Sequence, residues 1–329
     1  MDGRKFKTED VSWKVLDIEI FGTITYPDDG VAHPGIVMVA GSGPTDRDWC
    51  SPLLPGHNGS GKLLAEALAL KGYVTLRYDK MASGPHVMEN LPRFSGKASM
   101  ETHLEEVAGA LSALISRGYV KKDRVFALTN SEGGIHAANY QLSSRKPKFN
   151  GFIMTGAPGR SVGEVARNQL AAQGKSFPGA DGILKKYDSA VEQFLEGKPM
   201  NPEDTLPQVV KLMLKSLESP HNLPFSRELW TYSLSEHVRN ITEPVLVIIG
   251  KKDIQISWED DGRLLEESLS GNSDAEFAYP DDANHVLKHE DLPLEEITAE
   301  YAGTHYNSAD SILDTEALNI IISWLGRHS

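Results

Sequence analysis

Cysteine is nearly absent: Cys50 is the only one in 329 residues. An intrachain disulfide is therefore impossible, and so is a metal site built on cysteines. No apolar run approaches the roughly 18 residues that a membrane-spanning helix needs. The opening "MDGRKFKTED" has no apolar stretch either, so no signal peptide is expected. Clusters of positive charge are also missing. Lys and Arg number 33 against 46 Asp and Glu, a net charge of −13. With no dense Lys/Arg run, neither a nucleic acid nor an anionic membrane surface is an expected partner. These absences leave a soluble protein, expected in the cytoplasm and acting on a small molecule.

What is present has the proportions of a globular protein, 40% hydrophobic and 24% charged. The length suits one large α/β domain, or a core with an inserted subdomain. "WKVLDIEI" and "GTITYP" predict two short strands in a hairpin. "GIVMVAG" (35–41) is a continuous apolar run, as in a strand buried on both faces. "YVTLRYD", "RVFALT", "GFIMTGA", "PVLVIIG" and "AEFAYP" supply five more strands, for eight in all. Helical patterns lie between them: "KLLAEALALKG", residues 100–118, a helix starting near Ser131, another near 258–269 and a last one in "ILDTEALNIIISWLGRH". This alternation predicts βαβ units and a mostly parallel sheet. Residues 159–240 interrupt it with helical patterns alone. They predict a helical cap inserted between the sixth and seventh strands, with 1–158 and 241–329 as the core. Ordinary crossover helices are the alternative.

Two glycine-rich stretches imitate nucleotide sites. "GHNGSGKL" (56–63) nearly matches the phosphate-binding loop, but Leu63 stands where a magnesium-binding hydroxyl belongs, and the preceding "DRDWCSPLLP" is a poor strand. "GSGPTD" (41–46) does follow a strand, yet Asp46 stands where a dinucleotide fingerprint needs its last glycine. Its glycines can instead turn backbone N–H groups toward an oxyanion, or simply make a tight turn.

Acyl transfer needs a nucleophile, a base and an acid that holds the base, and in an open α/β sheet these sit at the carboxyl ends of strands. Ser131, in "LTNSEGGIHA", follows the fifth strand and opens a helix. Asp253, in "GKKDIQIS", follows the seventh, and His285, in "PDDANHVLKH", follows the eighth. Each alone has a plain explanation: a helix cap for Ser131, a solvated turn for Asp253, and one of 11 histidines for His285, with His289 and His305 as nearby competitors. His136, five residues past Ser131, is expected to face away. Together, the order Ser, Asp, His is that of the α/β-hydrolase fold, and the glycine loop after the third strand falls where an oxyanion loop belongs.

With these motifs the chain resembles the serine-dependent α/β-hydrolases, and among them bacterial carboxylesterases carrying "HGSGP-x-DRD", "YDKRG-x-G" and "GHSEGG". This chain reads "VAGSGPTDRD", "YDKMASG" and "TNSEGG". The resemblance covers roughly 13–158 and 243–329 and weakens in the cap. Thr129 replaces the first elbow glycine, and Ala40 replaces the histidine before Gly41. The resemblance implies Ser131 as nucleophile, His285 as general base and then acid, Asp253 as the carboxylate that orients it, and the backbone N–H groups of Ser42 and Glu132 as the oxyanion hole. It calls for no cofactor and no metal. Gly41 and Gly43 shape the loop, and Arg47 is expected either to grip Glu132 or to pair with Asp46 or Asp48 while Glu132 is solvated.

The expected activity is hydrolysis of small carboxylic esters with short to medium acyl chains, acetate to octanoate over palmitate. Amide, thioester or peracid chemistry by the same triad, and a hydrolase fold kept only for ligand binding, are the alternatives. Leu195, Met213, Leu214, Trp230 and Tyr232 are the cap residues that either line a pocket or pack within the cap. Aspartate-nucleophile dehalogenases and epoxide hydrolases, and cysteine-nucleophile dienelactone hydrolases, do not fit a serine at the elbow.

Overall fold

The computed structural model describes residues 5–174 and 179–329. Residues 1–4 and 175–178, which fall in the expected core and cap spans, lie outside the described residues. Eight strands form one sheet: β1 (Phe6–Val15), β2 (Ile18–Pro27), β3 (His33–Val39), β4 (Val74–Tyr78), β5 (Val120–Asn130), β6 (Phe152–Thr155), β7 (Val245–Ile248) and β8 (Ala275–Ala278). Their order is β1-β2-β4-β3-β5-β6-β7-β8. The pairs β1–β2 and β2–β4 are antiparallel, and every pair from β4 to β8 is parallel.

The apolar strand runs are apolar because both faces are covered. Val37 and Val39 of β3 join one core cluster with Leu104, Val107 and Leu111 of α3 (Met100–Ile115), Ile135 of α4 (Gly133–Leu142) and Leu265 of α10 (Asp260–Leu269). Ile36 and Met38, one residue out of phase, join a second cluster with Leu64 and Leu68 of α1 (Ser60–Leu70) and Ile321 and Trp324 of the last helix (Thr315–His328). The period of two along β3 thus sorts its side chains between two helical layers.

The hairpin differs in detail from its expectation. The turn falls inside "WKVLDIEI", at Leu16 and Asp17, with Leu16 at φ 54°. β1 begins at Phe6, through "FKTED", which carries no apolar alternation because β1 is an edge strand exposed along much of its length. Between β6 and β7 lie α5 (Val162–Gly174), α6 (Ala180–Leu195), α7 (Gln208–Leu217), α8 (Phe225–Trp230) and α9 (Leu234–Val238). Tyr187, Phe194, Val210, Leu214 and Trp230 from these helices make an apolar cluster separate from the two that sandwich the sheet. The helix α2 (Val87–Phe94) was not expected: it is only eight residues long and contains Pro92.

Candidate active site

Ser131 stands at the end of β5, one residue before Glu132 and the start of α4, with φ 52°. A side chain in this left-handed region marks a strained turn. The strain is held by a hydrogen bond from the Ser131 N–H to the Thr155 carbonyl of the neighbouring strand at 2.8 Å. Gly133 is required by crowding: a Cβ there would stand 2.4 Å from the Val39 carbonyl oxygen. Thr129, in place of the first elbow glycine, is fully buried, and a Cβ on Gly134 would stand 3.4 Å from its Oγ1. The threonine therefore fills space beside a residue that lacks a side chain.

Asp253 and His285 meet behind this elbow. His285 Nδ1 donates to Asp253 Oδ2 at 2.8 Å, with the two side chains 6% and 0% exposed. The other oxygen, Oδ1, accepts the backbone N–H groups of Gln255 at 2.7 Å and Ile256 at 2.9 Å. The carboxylate is thus satisfied on both oxygens and fixes the ring orientation. Asn130 Nδ2 donates to the His285 carbonyl at 2.9 Å and so ties the histidine loop to the residue before Ser131. Gly156, at φ 54°, lies beneath the pair: a Cβ on it would come within 3.0 Å of His285 Nδ1. Among the described residues Ser131 Oγ makes no hydrogen bond, so its link to His285 is not closed in this structure. His289 instead faces Asp314 and Asp291, and His305 bonds to Tyr301.

Ser42, Ser131 and Glu132 line one cavity of about 560 Å³. Gly43, at φ 69°, turns the loop after β3, and Thr45 Oγ1 donates to the Ser42 carbonyl at 2.7 Å. Among the described residues the backbone N–H groups of Ser42 and Glu132 have no acceptor within the protein. Gly41 passes close to the elbow, where a Cβ would stand 3.2 Å from Ser131 Cβ.

The expected partners of Arg47 and Glu132 are corrected. Arg47 grips Asp79, just past β4: Nε and Nη2 donate to Oδ2 at 3.0 and 2.6 Å, and the Arg47 backbone N–H donates to Oδ1 at 2.8 Å. Asp48 is taken by Arg77, and Asp46 accepts the backbone N–H groups of Asp48 and Cys50. Glu132 is neither gripped by Arg47 nor solvated. It is 7% exposed, and His136 Nε2 donates to its Oε1 at 3.0 Å. Burial alone would raise the Glu132 carboxyl, but the His136 hydrogen bond and the Lys80 charge outweigh it and bring it down to about 2. Burial and the neighbouring His103 hold His136 down to about 4, and its Nδ1 is buried without a partner, as a neutral ring allows. The histidine that was expected to face away is thus the donor that seats Glu132.

Lys80, from "YDKMASG", was not singled out in the sequence and is 3% exposed. Its Nζ donates to the Gly41 carbonyl, while burial lowers its pKa and the Glu132 and Glu106 charges oppose that. The loop after β3 and the elbow are therefore coupled through a lysine from the loop after β4. Of the five positions expected in a cap, Met213 and Trp230 line the cavity. Leu195 is exposed, Leu214 is buried among the helices between β6 and β7, and Tyr232 stacks on His237 at 4.1 Å between ring centres. Among the described residues no cluster of His, Cys, Asp and Glu is arranged to hold a metal, and no helix is long and apolar enough to cross a membrane.

Sheet order, elbow and strand-end loops together define the class: the chain has the α/β-hydrolase fold. Over 98% of its length it matches 91% of the Pyrococcus furiosus esterase Pf2001, at TM-score 0.54 and 15% identity. It matches 99% of the α/β hydrolase GrgF from Penicillium sp. sh18, at TM-score 0.57 and 15% identity. In sequence it is similar to esterase EstD of Thermotoga maritima, 27% identical over 292 residues, which are 87% of this chain and 61% of that protein. The chain thus spans less than two thirds of that relative's length. No protein-family model matches it.

Proposed function

We propose that the chain is a carboxylic ester hydrolase that works through an acyl-enzyme on Ser131. The observation that carries this reading is a left-handed serine turn after β5 together with a buried Asp253–His285 pair from the loops after β7 and β8, all at the carboxyl ends of parallel strands. The similarity to a named esterase supports it. In the reaction, Ser131 Oγ attacks the ester carbonyl as His285 Nε2 takes its proton, a contact that closes when substrate is bound. Asp253 holds the ring by its Nδ1–H and stabilises the imidazolium. The N–H groups of Ser42 and Glu132 receive the developing oxyanion. The proton passes from His285 to the departing alcohol, and water, deprotonated in turn by His285, releases the acid and frees Ser131.

The helices between β6 and β7 act in this proposal as a cap whose Met213 and Trp230 close the cavity over an apolar acyl chain. The test is a fluorophosphonate probe together with p-nitrophenyl acetate. Wild-type protein should be labelled once and release a burst of p-nitrophenol, and Ser131→Ala should show neither. Labelling that persists in Ser131→Ala would overturn the assignment.

A further inference from the structure

A second histidine–carboxylate pair faces the same cavity. His103, in the first turns of α3, lines the cavity with Ser131 and Glu132. Its Nδ1 lies 2.7 Å from Glu106 Oε2, with the two side chains 9% and 1% exposed. Glu106 Oε1 accepts the Met81 N–H at 2.6 Å, so the carboxylate is fixed as an acceptor on both oxygens. The ring is clamped between His136, stacked at 4.4 Å, and Phe225, tilted at 4.3 Å. Among the described residues Nε2 has no hydrogen-bond partner. Phe225 packs against the ring, and the cavity lining is mostly apolar, with Phe94, Ala98 and Leu229 among its residues. A rigidly held polar atom left open in a mostly apolar cavity is how a site reads one polar group of a ligand.

We infer that His103 is a substrate-binding residue that takes a hydroxyl group of the ester, remote from the scissile bond. With Nδ1–H committed to Glu106, Nε2 offers a lone pair when the ring is neutral and an N–H when it is charged. A hydroxyl satisfies both states, because it donates to one and accepts from the other. A carboxylate would satisfy only the charged ring, and it would enter a cavity wall already backed by Glu132 and Glu106. Lys80 gives it no relief, since its one positive charge is already set against the two carboxylates of Glu132 and Glu106. The substrate class is therefore an uncharged hydroxylated ester, with the hydroxyl on either the acyl or the alcohol half.

This inference rests on the esterase reading, and the two fail differently. The experiment walks a hydroxyl along the acyl chain of p-nitrophenyl esters in one arm and along the alcohol of hexanoate esters in the other. At one position kcat/KM should exceed that of the unsubstituted parent by at least about fivefold, chiefly through KM. In His103→Leu that ratio should fall to near one. His103→Leu/Glu106→Gln, which leaves no unpaired buried charge, serves if the single variant does not fold. No gain at any position in either arm, a ratio that survives removal of His103, or preference for a carboxylate-bearing ester overturns the inference. If no ester is hydrolysed, the esterase reading fails. Calorimetric binding of the same ester pairs to Ser131→Ala then decides the inference alone, and equal affinity for hydroxylated and parent esters refutes it.

Discussion

Replacing Glu132 by Gln separates the two jobs of this residue, because the backbone N–H stays while the buried charge goes. The carboxyl falls from 4.5 to about 2 in the folded protein, since the His136 hydrogen bond and the Lys80 charge outweigh the cost of burial. At about 1.4 kcal/mol per pKa unit, this corresponds to roughly 3 kcal/mol of folding stability. The unfolded chain takes up the proton near pH 4.5 and the folded chain only near pH 2. The contribution is therefore complete above the higher value and is lost as the pH falls through the window between them. His136, held down to about 4 from 6.5 by burial and by His103, also binds its proton later when folded, so it steepens the loss on acidification. Urea unfolding followed by tryptophan fluorescence measures both proteins across the window. Glu132→Gln should be less stable than wild type by up to about 3 kcal/mol near neutral pH, and the gap should shrink to about half near pH 3. Parallel stability curves, with a gap that does not change with pH, would refute the picture of an ionised buried Glu132.

Asp253→Asn keeps the packing but removes the acceptor for His285 Nδ1–H, and kcat should fall by up to about 10⁴-fold in steady-state ester hydrolysis; a rate near wild type would mean another carboxylate serves His285. Arg47→Met and Glu132→Gln should combine additively in kcat/KM, within about 0.5 kcal/mol in a double-mutant cycle, because Arg47 is bound to Asp79 rather than to Glu132. A coupling of about 1 kcal/mol or more would contradict that separation. In a p-nitrophenyl ester series, acetate to octanoate should be cleaved faster than palmitate, since Met213 and Trp230 line a cavity of only about 560 Å³; a preference for palmitate would mean that the proposed cap does not close over it.

The sequence by itself determined the sheet and the places where chemistry can sit. Apolar runs such as "GIVMVAG" and "PVLVIIG" mark buried strands because burial on both faces leaves no room for polar residues. The elbow was legible in "TNSEGG" because a crowded turn demands small residues, and Gly133 meets the Val39 and Ala40 carbonyls as that demand requires. Ser131, Asp253 and His285 are proposed from their positions after strands, which is local information. The start of β1 was not legible, since an edge strand need not alternate. Pairings between side chains were not legible either. Arg47 stands beside two aspartates in the chain, yet it reaches Asp79, 32 residues away. Glu132 found its donor one helical turn on, at His136, and its countercharge at Lys80. His103 and Glu106 carry no motif beyond their spacing on one helix. A buried charge takes whichever partner the packing of strands and helices brings within reach, and that packing, not proximity in the chain, placed Lys80, His103 and Glu106 around the Ser131 elbow.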